Sequence, residues 1–283
     1  MTTVTEYGKD RLHALLPSLA DDIHKGNRGG VFVCGGSFNY RGAPMLAALG
    51  ALRAGAGYVV LAIPDFMADS AASFLPEAII APVKSLNGVL SAESLFRAVN
   101  QWEKRCSAAI FGPGISRENR LGKTLERFAA LWHKPLILDA DALWFLPECS
   151  LRGGNVAITP HAGEAAHLLG LSADEVQVDR QRAVLMLAAK YGTALLKGKN
   201  TLVASDGIIR KIMAGSAALA IPGSGDVLSG VISAFAASGM NIFDALTAAA
   251  LAHAAAGEVL EAKYGLRGAL AREIAEVLPC VLK

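Results

Sequence analysis

The chain has little charge. Asp, Glu, Lys and Arg make up 18% of its 283 residues, against roughly a quarter in an average soluble chain. The charge is also balanced, 27 basic against 25 acidic residues for a net +2, and it is spread along the sequence. It leaves no electrostatic footprint for nucleic acid. Aromatic residues are scarce, at 6%. The four cysteines, Cys34, Cys106, Cys149 and Cys280, lie far apart and form no C-x-x-C, which points to buried free thiols in a reducing compartment. A mean hydropathy of +0.38 raises the question of a membrane protein. A spanning helix needs about 20 apolar residues. The longest late charge-free run, Val227 to Phe243, falls short of that and is broken by Ser229, Gly230, Ser233, Ser238, Gly239 and Asn241. It reads as a buried helix with its loop. Met1 to Asp10 is polar and carries no apolar signal core. The expectation is a cytoplasmic globular protein with no membrane and no nucleic-acid partner.

Alanine and glycine are abundant, with 29 glycines, as suits close helix packing and loops whose backbone meets a ligand. Short apolar runs alternate with longer helical stretches. Val31–Cys34, Tyr58–Ile63, Ala108–Phe111, Leu136–Leu138, Val156–Thr159 and Ala194–Leu196 read as strands buried on both faces. Pro44–Ala54, Ser91–Arg105, Glu118–Trp132, Gly163–Leu169 and Asp174–Tyr191 read as the helices between them. Repeated βαβ units predict a mostly parallel sheet with helices on both sides. Thr201–Ala204 and Ile208–Met213 around Asp206-Gly207 then read as a late hairpin. Helices follow over Ser224–Ala237, Ile242–Lys263 and Gly268–Leu278. No linker or repeat interrupts residues 1–283, so a single α/β domain is expected, with ligands beyond the carboxyl ends of the strands.

The loops at those ends carry the chemistry. Pro222-Gly223-Ser224-Gly225-Asp226 opens an apolar helix. Small residues there let amide groups converge on an anion at a helix N-terminus, and Asp226 can take a proton from a hydroxyl beside it. The competing reading is that Asp226 merely caps the helix. Gly35-Gly36-Ser37 through Arg41-Gly42-Ala43 is neither G-x-G-x-x-G nor a P-loop, which argues against a dehydrogenase. Gly112-Pro113-Gly114 is another bare turn after a strand. Asp139 and Asp141 stand where carboxylates often meet magnesium or a polar substrate, with helix capping as the alternative for Asp141. In Thr159-Pro160-His161-Ala162-Gly163-Glu164, the spacing of His161, Glu164 and His167 does not suit zinc on a helix. A Glu that holds magnesium through water beside a substrate-facing His is the more natural reading. Lys197-Gly198-Lys199-Asn200-Thr201 suits a nucleotide phosphate, or is an ordinary basic turn. His24, His133 and His253 have no partners by spacing.

Taken in order, Gly-Gly-Ser, Gly-Pro-Gly, Asp-Ala-Asp-Ala-Leu, Thr-Pro-His-x-Gly-Glu, Lys-Gly-x-x-Thr and Gly-Ser-Gly-Asp-Val-Leu-Ser-Gly resemble the ribokinase-like superfamily. Within it the chain resembles the ADP-dependent NAD(P)H-hydrate dehydratases, from His24-Lys25-Gly26 to Leu278. His161 is the discriminating residue, since the sugar and vitamin kinases usually have Asn there. The resemblance implies a three-layer α/β/α sandwich. It implies repair of the S-epimer of hydrated NADH or NADPH, with ADP, or ATP, as co-substrate and Mg2+ present. It places Ala43, Gly114, His161 and Asp226 on the hydrated substrate, with Asp226 as catalytic base. It places Lys197, Gly198, Lys199, Asn200, Thr201, Gly223, Ser224 and Gly225 around the adenine nucleotide, and makes Glu164 the magnesium-associated acid. It further implies a homo-oligomer, a tetramer, and a separate epimerase as pathway partner. The chain departs from the family pattern at Pro222, at Gly215-Ser216-Ala217-Ala218 and at Trp144. A small-molecule kinase of the same superfamily, acting on a vitamin precursor or sugar alcohol, is the alternative enzyme. A degenerate nucleotide-binding sensor or scaffold is the alternative outside catalysis.

Overall fold

In the computed structural model of the protein, residues 3–17, 28–149, 151 and 155–283 are described. The segment His24 to Gly26, where the resemblance begins, lies outside them. The strands are β1 (Thr3–Tyr7), β2 (Gly30–Cys34), β3 (Tyr58–Pro64), β4 (Ile79–Val83), β5 (Ser85–Leu86), β6 (Val89–Leu90), β7 (Ala108–Phe111), β8 (Leu136–Leu138), β9 (Val156–Ile158), β10 (Thr193–Leu196), β11 (Leu202–Ser205) and β12 (Ile208–Ile212). The helices are α1 (Leu12–Leu15), α2 (Gly42–Arg53), α3 (Ala68–Phe74), α4 (Ala92–Trp102), α5 (Arg120–Leu131), α6 (Asp141–Phe145), α7 (Ala162–Leu169), α8 (Ala173–Val178), α9 (Arg180–Tyr191), α10 (Ser224–Ala237), α11 (Ile242–Tyr264) and α12 (Ala271–Val281).

Ten strands form one sheet in the order β1-β12-β11-β10-β9-β8-β7-β2-β3-β4, and β5 and β6 pair apart from it. The run from β10 to β4 is parallel, and β11 turns back against both neighbours. This is the expected three-layer sandwich with its late hairpin. The chain moves outward from β2 through β3 to β4, then returns to pair β7 with β2 and builds in the other direction. The crevice beyond the ends of β2 and β7 is therefore a topological switch point, where open α/β sheets bind ligands.

Strand alternation divides the core. Val31 and Val33 of β2, with Ile110 of β7, face a layer that includes α2, α10, α11 and α12. Phe32 and Cys34 of β2, with Phe111 of β7, face a layer that includes α4, α5, α7 and α9. In the first layer α10 and α2 meet backbone to backbone: a Cβ on Gly230 would sit 2.1 Å from the Ala47 carbonyl oxygen. Only glycine permits that approach. Helix α11, 23 residues long, is long and apolar enough to cross a bilayer by length and composition, but 67% of its apolar window is packed inside the molecule.

Several expectations are corrected. The stretch Asp174–Tyr191 is two helices, because Asp179 leaves helical geometry at φ −134°, ψ 75° and its carboxylate accepts the Arg182 N–H at 3.0 Å. The last helix starts at Ala271 because the Glu273 carboxylate accepts the Leu270 N–H at 2.8 Å and fixes its start there. All four cysteines are free, but Cys149 is only half-buried and Cys280 is exposed.

Candidate functional site

The loops singled out in the sequence meet at the carboxyl ends of the parallel strands. Beyond β2 and β7, the Gly36 N–H donates to the Pro113 carbonyl at 2.8 Å. Gly114 adopts φ +64°, and a Cβ there would meet Tyr40 Cβ at 2.6 Å and Ala43 Cβ at 3.2 Å. Ala43 and Gly114 thus stand side by side at the switch point.

Beyond β9, His161 is the N-cap of α7 in a capping box. Its Nδ1 accepts the N–H groups of Gly163 at 3.0 Å and Glu164 at 3.2 Å. That places the ring proton on Nε2, which lies 3.4 Å from Glu164 Oε1. In return the His161 N–H donates to Glu164 Oε2 at 2.8 Å. His167, the third member of the excluded zinc set, turns elsewhere. Its Nε2 lies 2.9 Å from the Trp144 carbonyl oxygen.

Beyond β10, Lys197 is no ordinary basic turn. Its Nζ donates to Asp139 Oδ1 at 2.8 Å and lies 3.9 Å from Glu164 Oε2. The Ser229 hydroxyl of α10 donates to the other Asp139 oxygen. Asp139 is 1% exposed. Burial penalises its charge, but Lys197 and the hydrogen bonds outweigh burial and hold the carboxyl below its usual range. By the same pairing, against the cost of burial, the Lys197 ammonium is held above its usual range. Asp139 is therefore committed to Lys197 and Ser229 rather than open to magnesium. Asp141 does not cap. It accepts the Ser116 N–H at 3.0 Å and Arg117 Nε at 3.1 Å, pinning the loop after β7.

The loop opening α10 completes the site. Gly223, at φ +86°, is the N-cap residue, and no side chain caps the helix. Asp226 is half-buried in the first turn, and among the described residues no hydrogen bond reaches its carboxylate. The capping reading is overturned. Burial raises the Asp226 carboxyl to about 8, Asp139 adds to the shift, Lys197 opposes it, and Asp141 and Glu164 raise it further. Burial also raises Glu164, with Lys197 opposing and Asp139 adding. Three carboxylates, Asp139, Glu164 and Asp226, thus surround one ammonium. Among the described residues no three acidic, His or Cys side chains form a metal cage, and of these carboxylates Glu164 is the one that could face a magnesium ion.

Lys197, Gly198, Lys199, Asn200, Thr201, Ser224 and Gly225 line a cavity of about 1080 Å3 that is also walled by His161 and residues 212–217. Gly223 is not among the residues that line it. Gly225 brings the loop after β10 and the loop opening α10 together, since a Cβ there would lie 3.2 Å from Lys197 Nζ.

Three contributors escaped the sequence reading. Ser229 stands one helical turn after Gly225 and looked like core. Arg180 braces the end of β10, donating to the carbonyls of Leu196 at 3.1 Å and Lys197 at 3.3 Å, and no local signal marks it. His253 of α11 is buried, with Nε2 3.1 Å from both the Ser224 hydroxyl and the Ser224 carbonyl oxygen. A lone imidazole on an Ala-rich helix was the available clue.

Comparison with known proteins gives the following. The profile of the NAD(P)H-hydrate dehydratase family matches residues 31–280. The ADP-dependent (S)-NAD(P)H-hydrate dehydratase of Neisseria meningitidis is 40% identical over 267 residues, 90% of this chain and 86% of that one. The bifunctional NAD(P)H-hydrate repair enzyme Nnr of Thermanaerovibrio acidaminovorans is 37% identical over 278 residues, which is 97% of this chain. The chain spans about half, 54%, of that relative's length. The crystal structure of the ADP/ATP-dependent NAD(P)H-hydrate dehydratase of Bacillus subtilis, co-crystallized with ATP and Mg2+, superposes with a TM-score of 0.83 at 27% identity, covering 96% of this chain and 95% of that one.

Proposed function

The chain belongs to the NAD(P)H-hydrate dehydratase family, and on that premise we propose that it dehydrates the S-epimer of hydrated NADH or NADPH at the expense of ADP or ATP. Hydroxide is a poor leaving group and phosphate a good one, so the nucleotide's terminal phosphoryl group moves first to the hydroxyl oxygen of the hydrate. Asp226 takes the hydroxyl proton. With ADP, the bond between β-phosphorus and bridging oxygen breaks and AMP leaves. The carbon–oxygen bond to phosphate then breaks, the neighbouring ring carbon gives up a proton, and the double bond returns. The overall reaction is that of a carbon–oxygen lyase.

The observation that carries this reading is the Asp226 carboxyl, which is uncapped, half-buried and raised to about 8. A carboxylate with that affinity for protons suits a general base near neutral pH. Around it, the amide groups of Gly223 to Gly225 at the N-terminus of α10 face the migrating phosphoryl group, where developing charge is stabilised most. Lys197, fixed by Asp139, balances phosphate charge, and its pull on Asp226 is outweighed by burial and by Asp139. His161 offers Nε2–H to the hydrated ring, and Ala43 and Gly114 leave room for it at the switch point. Glu164 is the residue that would hold magnesium, which when bound would supply further charge neutralisation on the nucleotide phosphates. A homotetrameric assembly, with an epimerase supplying the S-epimer, belongs to the same proposal.

The test is to incubate the protein with hydrated NADH, Mg2+ and either ADP or ATP. Near-ultraviolet dihydronicotinamide absorbance should return. Asp226→Asn should lower kcat about 10²–10⁴-fold, the range of a lost general base, while the protein stays folded. No recovery with either nucleotide from folded protein would sink the reading, and full turnover by the Asn variant would remove Asp226 from it.

A further inference from the structure

Beside the reaction centre lies a second, smaller cavity that shares His161 and Glu164 with it and whose other side chains the proposed chemistry does not use. It holds about 190 Å3 and is lined by Arg117, Trp144 and His167 together with His161 and Glu164. Trp144 is 44% exposed, yet its ring is held in place. It stacks on the His167 imidazole at 4.3 Å between centroids and 3° between planes. The His167 Nε2, 2.9 Å from the Trp144 carbonyl oxygen, locks the imidazole to the same helix. The Arg117 guanidinium carbon lies 4.8 Å from the Trp144 ring centre, and Arg117 is anchored by Asp141 at 3.1 Å. A half-exposed indole ordered by an imidazole and a guanidinium contributes little to the core. Such an arrangement suits a planar ring with phosphate attached: aromatic faces stack bases, and a guanidinium forks onto phosphate.

Its place in the sheet says which ligand arrives there. The larger cavity opens beyond β10 and β11, and on the dehydratase reading the hydrated ring sits beside Asp226 and the loops of β2 and β7. Trp144 follows β8 and Arg117 follows β7, so the small cavity lies on the far side of His161 from Lys199 to Thr201. A dinucleotide with its reacting ring at Asp226 must send its other half outward. A space of about 190 Å3 holds one ring system rather than a whole dinucleotide.

We propose that the Arg117–Trp144–His167 stack is a specificity platform for the adenosine half of the hydrated dinucleotide, with the adenine ring against the aromatic stack and phosphate on Arg117. This rests on the dehydratase reading for the identity of the substrate. It does not depend on turnover for its test.

Two arms test it, with wild type, Trp144→Ala, Trp144→Phe and Arg117→Gln. The kinetic arm compares hydrated NADH with the hydrate of reduced nicotinamide mononucleotide, which lacks the adenosine half. Trp144→Ala should lower the ratio of kcat/KM for the full over the truncated substrate about tenfold, through KM rather than kcat, as for one lost base stack. Trp144→Phe should restore most of the ratio, and Arg117→Gln should lower it as well. The binding arm measures calorimetric affinity for NAD+ and for nicotinamide mononucleotide, with the nucleotide cavity saturated by AMP. NAD+ should weaken about tenfold in Trp144→Ala, and the selectivity for NAD+ over the mononucleotide should fall with it. An unchanged ratio and unchanged NAD+ affinity would overturn the platform, as would equal losses on full and truncated ligands. If wild-type protein turned over no hydrate, the dehydratase reading would fail while the binding arm still decided the platform.

Discussion

The two helix layers are filled differently. The three fully buried phenylalanines, Phe32, Phe111 and Phe128, all lie on the face covered by α4, α5, α7 and α9. There Phe128 stacks on Trp132 at 5.7 Å and meets Phe111 at 5.1 Å. The opposite layer, which carries Asp226, is rich in alanine, and α10 touches α2 through bare backbone. The scarce aromatics are therefore concentrated away from Asp226. A layer packed by rings tolerates some loss of shape at the price of stability. A layer packed by backbone has no slack, and its registry passes directly to the residues at the start of α10.

That contrast breaks if the two layers respond alike. The largest expected effect on stability is in the aromatic layer. Phe128→Ala should cost about 3–5 kcal/mol, the usual loss for a buried phenylalanine with its cavity. The folded fraction should keep wild-type kcat, because the rings of Phe128, Phe111, Phe32 and Trp132 line neither cavity. Denaturant unfolding and assay below the transition check both halves.

In the other layer the order reverses, with a smaller loss of stability and a larger loss of rate. Gly230→Ala places a methyl 2.1 Å from the Ala47 carbonyl oxygen, so α10 or α2 must move. Overpacking of this kind costs about 1–3 kcal/mol. A displacement at the N-terminus of α10 should lower kcat tenfold or more, since misplacement by about 1 Å can cost about 100-fold. A Gly230→Ala enzyme with wild-type kcat would show that helix registry is not what holds Asp226.

Which parts were legible follows from the same contrast. The central strands announced themselves because burial on both faces makes them continuously apolar. Of the strands missed, β1 and β4 lie at the edges and the two-residue β5 and β6 pair apart from the sheet. β1, Thr-Val-Thr-Glu-Tyr, is almost wholly exposed and looked like a polar terminus. β4 contains Pro82, which an edge position tolerates because no ladder bond is needed there. The loops of the site were legible as glycine and charge patterns at strand ends. What they do to one another was not. The Lys197–Asp139 pair joins residues 58 positions apart, and only the sheet order brings them together. Asp226 read equally well as a cap until the structure showed that Gly223 occupies that position.

His253 offers the finest test of whether the backbone-packed layer transmits registry to the site. Its imidazole ties α11 to Ser224, the first residue of α10, and burial pushes its pKa down to about 4. An unfolded histidine titrates near 6.5. Between those values the folded protein binds fewer protons than the unfolded chain, so this group's contribution is complete above about 6.5 and falls as pH drops toward 4. The loss is about 3 kcal/mol over that window. The raised Asp226 carboxyl has the opposite sign, favouring the folded state as pH falls from about 8, so the net slope of the wild type is a sum. The difference between wild type and His253→Leu isolates the imidazole. At pH 7.5 the variant should be less stable by about 1 kcal/mol, the worth of one hydrogen bond. It should also show a nucleotide KM raised about fivefold, with His253→Gln recovering part of that. By pH 4.5 the stability gap should close or invert. A gap that stayed constant with pH would mean that the imidazole is not held neutral. An unchanged nucleotide KM would mean that α11 does not set the loop that Asp226 stands on.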